Sequence, residues 1–232
     1  MSKLAQVFGD EEHVFLPVIH VKTVEQTMRN AHIAFDNGAD GIFLIGHGLI
    51  YNSLNDIYHL IREHFGKLWI GINYLDRDLY ALDFVPDDVN ALWSDNAQIT
   101  DRGISNLGEK FYQERQKRGW YTNRGLYFGG VAFKYQTPVI DIFNVAKMAV
   151  PYVDVVTTSG DKTGEPPSAS KIHTMRQAIG NHPLAIASGM TPENVRNYLD
   201  DCDCFLVSTG ISKSFHEFDA KAVKAFSKSL GK

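Results

Sequence analysis

Eight short apolar runs, alternating with amphipathic stretches of helical period, predict an α/β protein: a single (β/α)8 TIM barrel over residues 1–232. The runs are continuously apolar rather than alternating, as strands covered on both faces must be. No G-x-G-x-x-G follows the first of them, which argues against a doubly wound open sheet, the rival with fewer strands. No break in composition marks a second domain.

The first strand is read from "VFLPVIHV" (14–21). "TVEQTMRNAHIAFDNG" then has Thr23 as a cap, Val24, Met28, Ala31 and Phe35 on one face, and a terminal glycine, so it reads as a helix. "DGIFLIGH" (40–47) is the second strand and "LNDIYHLIREHFG" (54–66) the helix after it. "KLWIGINYL" (67–75) is the third strand; "DRDLYALDFVPDD" makes a short, less regular link to the fourth, "NALWSDN" (90–96). The fifth, "GLYFGGVAFK" (125–134), precedes a helix at "FNVAKMAVPY" (143–152). "VDVVTTSG" (153–160) is the sixth strand, and Ser168 caps the helix "SASKIHTMRQAIG". After the seventh, "PLAIASG" (183–189), Thr191-Pro192-Glu193 supplies a cap, a proline at the first helical position and an acidic first turn. A helix over 191–201 is therefore expected. "CFLVSTG" (204–210) and the helix "DAKAVKAFSKSLG" (219–231) close the set.

A hydrophobic share of 44% with 22% charged residues suits a chain with a substantial buried core. The net charge of −4 provides no broad basic field for nucleic acid or anionic lipid. The basic-aromatic cluster "YQERQKRGWYTNRG" (112–125) is adequately explained as a solvated helix end. No run approaches the ~20 apolar residues of a membrane span, and "MSKLAQVFGDEEHVF" has no signal-peptide core, so a cytoplasmic protein is expected. Cys202 and Cys204 are two thiols where a structural zinc site wants four ligands, and they are read as reduced cysteines at a strand edge.

Chemistry in such barrels sits where the strands end, at the C-terminal rim. Those ends supply His20, His47, Asn73, Asp95 with Asn96, Lys134, Thr158 to Gly160, Ser188 with Gly189, and Ser208 to Gly210. One polar residue after a strand means little, because a loop must begin there; eight on one rim define a candidate site. Gly160, Ser188, Gly189, Thr209 and Gly210 are read as phosphate-binding. Glycines in the loops after strands seven and eight let an anion reach backbone amides, with a helix start behind Gly189. Tight turns and a simple Thr191 cap are the plain alternative. Lys134, Asp95 and His20 are the catalytic candidates. Lys134 could form a Schiff base or hold an anion, against a lysine that only reaches for solvent. Asp95 could move a proton. Asp101 is the second acid, with a role in its own turn as the rival. Asn73, Asn96, Asp101, Thr158, Ser159 and Thr163 are the substrate-binding candidates, and "DKTGEPP" reads as a loop arching over the mouth. No H-x-H or H-x-x-x-H spacing supports a metal, no cofactor is predicted, and a divalent metal is left open. The implied partner is phosphate or a small phosphorylated metabolite, with a homo-oligomer left open. Lyase, isomerase and glycosyl-transfer chemistry all fit, and a non-catalytic scaffold built on a barrel is the rival from another class.

Three segments, "DVVTTSGDKTGEPPSASKI", "LAIASGMTPENVRNYL" and "CDCFLVSTGISK", resemble the C-terminal half of the BtpA/SgcQ family. "GINYLDRD", "ITDRG" and the lysine of "AFKYQ" fall where that family has comparable segments. The resemblance implies a TIM barrel of the ribulose-phosphate-binding kind, and a family named partly for a role in photosystem I biogenesis. The chain departs from the pattern after the first strand, where "HVKTVEQ" keeps only His20 of a proline-rich loop, and at Gly46-His47 and Ala132. The resemblance thus implies a retained anion grip with a divergent opposite rim.

Overall fold

The computed structural model describes residues 2–9, 11–75, 77–119 and 125–232. All eight apolar runs form strands: β1 (Val14–His20), β2 (Ile42–Ile45), β3 (Ile70–Asn73), β4 (Ala91–Ser94), β5 (Leu126–Gly130), β6 (Val155–Thr158), β7 (Leu184–Ile186) and β8 (Cys204–Val207). They pair in parallel in chain order and close into a barrel through β1 and β8, where Leu16 lies opposite Leu206. Alternate residues of each strand divide between two cores, as the period of two requires. Val14, Leu16 and Val18 join Phe43, Trp93 and Phe128 inside the barrel. Phe15 and Ile19 point outward to the helices, where Phe15 stacks on Phe226 at 4.7 Å between ring centres. Gly71 is needed on β3 because a Cβ there would lie 2.2 Å from the Phe43 ring.

The expected helices appear as α2 (Val24–Asp36), α3 (Tyr51–Phe65), α5 (Ile142–Ala149), α6 (Ala169–Ile179) and α7 (Ala220–Ser229), joined by α1 (Lys3–Phe8) and α4 (Asn106–Lys117). Thr23 and Ser168 cap α2 and α6 by accepting the amides of Gln26 and Lys171. Among the described residues, the third connection holds only a 3₁₀ turn, Asp78–Asp83. Helix α4 takes up the front of the basic-aromatic cluster, whose residues 120–124 lie outside the described residues.

One helix expectation is corrected. The start after β7 is built as read, with Thr191 N donating to Asn194 Oδ1 at 2.8 Å, but only a 3₁₀ turn follows, Val195–Tyr198. The chain must return the height of the barrel between Ile186 and Cys204. A 3₁₀ turn rises about 2.0 Å per residue against about 1.5 Å for an α-helix, and covers that distance with fewer residues.

At the N-terminal end, α1 inserts Leu4 and Phe8 against the inner core, with Phe8 5.3 Å from Trp69 between ring centres. Beside it Asp154 holds Lys3 (3.0 Å) and the fully buried Arg115 (3.1 Å). Cys202 and Cys204 are free, buried thiols on strand β8 and its approach, and burial pushes Cys202 up to about 12. No helix among the described residues is long and apolar enough to cross a membrane.

Candidate active site at the C-terminal mouth

A cavity of about 470 Å³ opens at the C-terminal end of the barrel. His20 ends β1, Asp95 follows β4 by one residue, and Ser188, Gly189, Ser208 and Thr209 follow β7 and β8; all line it. Lys134 reaches it from the loop after β5, and Thr163 with Gly164 from the loop after β6.

Lys134 is placed by a set of backbone contacts between neighbouring loops. Its amide donates to Ser159 Oγ (2.8 Å), and Ser159 Oγ donates to Gly160 O (2.8 Å). Lys171, from the first turn of α6, donates to Ala132 O (2.6 Å) and Ser159 O (2.7 Å), and Thr158 Oγ1 donates to Ala132 O (3.2 Å). Ala132 and Tyr135, on either side of Lys134, have φ of 46° and 62°. Such values are strained for residues with a side chain and concentrate where surrounding contacts hold a functional group in place. Tyr135 in turn shares its hydroxyl with Thr163 Oγ1 (3.2 Å), tying this loop to the one that arches over the mouth.

Asp95 is oriented by Asn73, whose Nδ2 donates to its Oδ1 at 3.0 Å; Asn73 Oδ1 accepts the amide of Leu75 at 2.8 Å. Burial pushes the Asp95 carboxyl up, against the opposing pull of the Asn73 hydrogen bond and the Lys134 charge. Burial likewise pushes Lys134 down, opposed by Asp95 and Tyr135. The two groups feel each other's charge without forming one of the close ion pairs recorded among the described residues. Both are thereby moved toward neutrality, where proton transfer is easiest. His20 is held neutral: burial first, then electrostatic repulsion from the neighbouring His47, His216 and Lys134, bring it down to about 3. It therefore faces the cavity as an uncharged ring.

The anticipated residues divide. Lys134, Asp95, His20, Thr163, Ser188, Gly189 and Thr209 share the cavity. Asn73 stands behind Asp95 as its positioning partner. Thr158 and Ser159 are corrected from substrate contacts to struts: both are fully buried, with their hydroxyls on backbone groups. Asn96 accepts the amide of Gln98 in a turn of its own (2.8 Å) and does not reach the cavity. Asp101 is not among the lining residues either, accepting the amides of Ile140 (2.9 Å) and Asp141 (2.8 Å) ahead of α5, bonds that draw its carboxyl down. Gly160 and Gly210 do not line the cavity and pack closely against neighbouring loops. An added Cβ would fall 2.3 Å from Glu165 O in the first case and 2.0 Å from Met190 O in the second.

The sequence reading missed Trp93, Tyr135 and Phe215 as lining residues. Trp93 was open to discovery, because it shares the inward face of β4 with Asp95. Phe215 was not: it sits in a hairpin after β8, Ser212–Ser214 with Glu217–Phe218, held over the mouth by tertiary bonds. There Gln26 and Asn30 of α2 donate to His216 O (2.6 and 2.8 Å), and His216 Nδ1 donates to His20 O (3.0 Å). Among the described residues, no group of three or more His, Cys, Asp or Glu is placed to hold a metal ion.

No family model matches the chain and no curated protein matches it, so the likeness to the BtpA/SgcQ family stands on its motifs alone. Solved structures do match. (S)-3-O-geranylgeranylglyceryl phosphate synthase from Thermoplasma acidophilum, in complex with its substrate sn-glycerol-1-phosphate, superposes with a TM-score of 0.69 at 14% identity, covering 99% of this chain and 98% of that one. The tryptophan synthase alpha chain from Legionella pneumophila subsp. pneumophila gives 0.67 at 11%, covering 100% and 98%. Phosphoribosyl anthranilate isomerase from Thermus thermophilus gives 0.62 at 11%, covering 94% and 98%. At these identities the likeness is one of fold. The chain is a TIM barrel, and its candidate site lies at the end of the barrel where that architecture carries chemistry.

Proposed function

We propose that this barrel is an enzyme acting on a small phosphorylated metabolite, a sugar phosphate or a phosphoribosyl compound. One observation carries the reading: Lys134 and Asp95, both shifted toward neutrality by burial, line the same cavity as Ser188–Gly189 and Ser208–Thr209. The backbone amides of Gly189 and Thr209 donate to no group recorded among the described residues, which leaves them for an anion. Because only a short 3₁₀ turn follows Gly189, no helix dipole adds to them; the attraction rests on amides, hydroxyls and the Lys134 charge. The names of the structural neighbours, which include a phosphate synthase and a phosphoribosyl isomerase, agree with this reading. Lys134 would polarise or attack a carbonyl and Asp95 would move the proton, a division of labour common to lyase and isomerase chemistry. An open cavity holding both groups favours an enzyme over a scaffold, for which apolar filling of the mouth would suffice. The BtpA/SgcQ-like motifs of the phosphate-side loops fit the same proposal.

Thermal denaturation with millimolar phosphate tests it, since a ligand of the native state raises the melting temperature. Ser208→Asp is the informative variant. It adds a negative charge at a half-buried position of ordinary φ, −128°, whereas Gly189, at φ 66°, tolerates no side chain against Pro166. Protection by phosphate in the parent and none in Ser208→Asp is expected; equal protection in both would move the anion elsewhere.

A further inference from the structure

The rest of the cavity wall is carbon. Val18, Ile45, Leu75, Trp93, Leu206 and Phe215 line the part not occupied by the polar loops. Phe215, half exposed in its hairpin, lies 4.3 Å from the His20 ring and 5.2 Å from the His47 ring, and the two imidazoles are 4.7 Å apart. These separations are those of packed aromatic rings. His20 itself is uncharged, and its ring packs here as an aromatic face. Wet carbon surface is costly, and a substrate made only of hydroxyls and phosphate would find few partners on it. The volume points the same way: about 470 Å³ is many times the ~30 Å³ share of one water, so phosphate alone leaves most of the cavity unfilled.

Trp93 is 5% exposed and its indole N–H lies below the surface, as does His20 Nδ1, so the wall these residues form turns ring carbon rather than polar atoms toward the cavity.

Building on the phosphate reading above, we propose that the substrate is a phosphate ester of an aromatic compound. Its anionic head lies at Gly189, Ser208 and Thr209, and its flat ring lies between Trp93, Leu206 and Phe215. The aromatic form is favoured over an aliphatic tail by the ring cluster at the mouth.

Dissociation constants for inorganic phosphate, glycerol phosphate, n-hexyl phosphate and phenyl phosphate, measured by calorimetry on the intact chain, test this directly. Phenyl phosphate is expected to bind about tenfold or more tightly than glycerol phosphate, and more tightly than the hexyl ester. Phe215→Ser should abolish that advantage while leaving glycerol phosphate binding within about twofold, a retained affinity that also reports a folded site; Phe215→Trp should keep the advantage. Equal affinity for the phenyl and glycerol esters, a preference for the hexyl ester, or an undiminished preference in Phe215→Ser overturns the aromatic substrate and leaves the phosphate grip standing. If no phosphate binds, inorganic or esterified, the phosphate reading itself fails and this inference falls with it.

Discussion

Burial decides the behaviour of the two charged residues at the mouth, and their variants should separate stability from chemistry. The raised pKa of Asp95 means that the folded state favours its protonated form. Such a carboxylate costs no stability at acid pH, where both states are protonated, and costs more as the pH rises past the ordinary carboxylate range. Asp95→Asn keeps the shape beside Asn73 and removes the charge. Its melting temperature should exceed that of the parent at pH 7, the gain should vanish toward pH 3, and turnover should be lost. A lower melting temperature at pH 7 would mean that Lys134 stabilises the ionised form more than burial opposes it. Lys134→Met should cut turnover by at least about a hundredfold with the melting temperature little changed; full activity would remove Lys134 from the mechanism. Much of this site was legible from period two along the strands. His20 continues the inward set of Val14, Leu16 and Val18, Asp95 that of Ala91 and Trp93, and Ser208 that of Cys204 and Leu206. Asn96 and Thr158 have the opposite parity and do not line the cavity, but Ser188 and Thr209 share that parity and do, so beyond the strand ends the period no longer decides. Ser159 has the right parity and still misses, because the Lys134 backbone lies across it.

At the scale of elements, the mouth depends on how the loops after β5 and β6 are clamped together. Lys171 does this from α6 with two bonds to carbonyls and no close carboxylate; burial brings it down to about 8, against the pull of Asp161. Lys171→Met removes both bonds and leaves the carbonyls of Ala132 and Ser159 short of a donor. A charged hydrogen bond contributes about 1.5–3 kcal/mol, so the melting temperature should fall by roughly 3–12 °C in a chain of this size. Turnover should fall as well, since the loop carrying Lys134 loses its anchor; an unchanged melting temperature would show that the clamp is redundant with Thr158. Strands and most helices were legible because apolar continuity and caps are local signals. The Val195–Tyr198 turn was not, because its cap is that of a true helix and only the distance back to β8 ends it. The hairpin that carries Phe215 escaped for a related reason: its position depends on Gln26 and Asn30, far away in the chain.

Across the whole molecule the two ends of the barrel have different tasks. The C-terminal end holds groups displaced from their ordinary protonation and loops of strained backbone. The N-terminal end holds a closed charge network in which Arg115 bonds to Asp154 Oδ2 (3.1 Å) and Tyr152 O (2.9 Å) and lies 4.2 Å above the Tyr127 ring. Asp154 also accepts the amide of Tyr127 at 2.8 Å, joining the start of β5 to the start of β6. Barrels generally divide stability and chemistry between their ends in this way. The division predicts that damage here lowers stability without touching the reaction. Arg115→Met leaves a buried carboxylate with Lys3 as its remaining cation, and breaking such a pair costs about 3–5 kcal/mol. In a chain of this size that is a fall of roughly 6–20 °C. Activity per folded molecule at low temperature should be unchanged, because no atom of the cavity is moved. Adding Asp154→Asn removes the stranded charge and should recover part of the loss, since an apolar or neutral replacement of a whole buried pair is far cheaper than half of one. If the double variant is no more stable than Arg115→Met, the cost lies in the lost packing of Arg115 against Tyr127 rather than in the Asp154 charge.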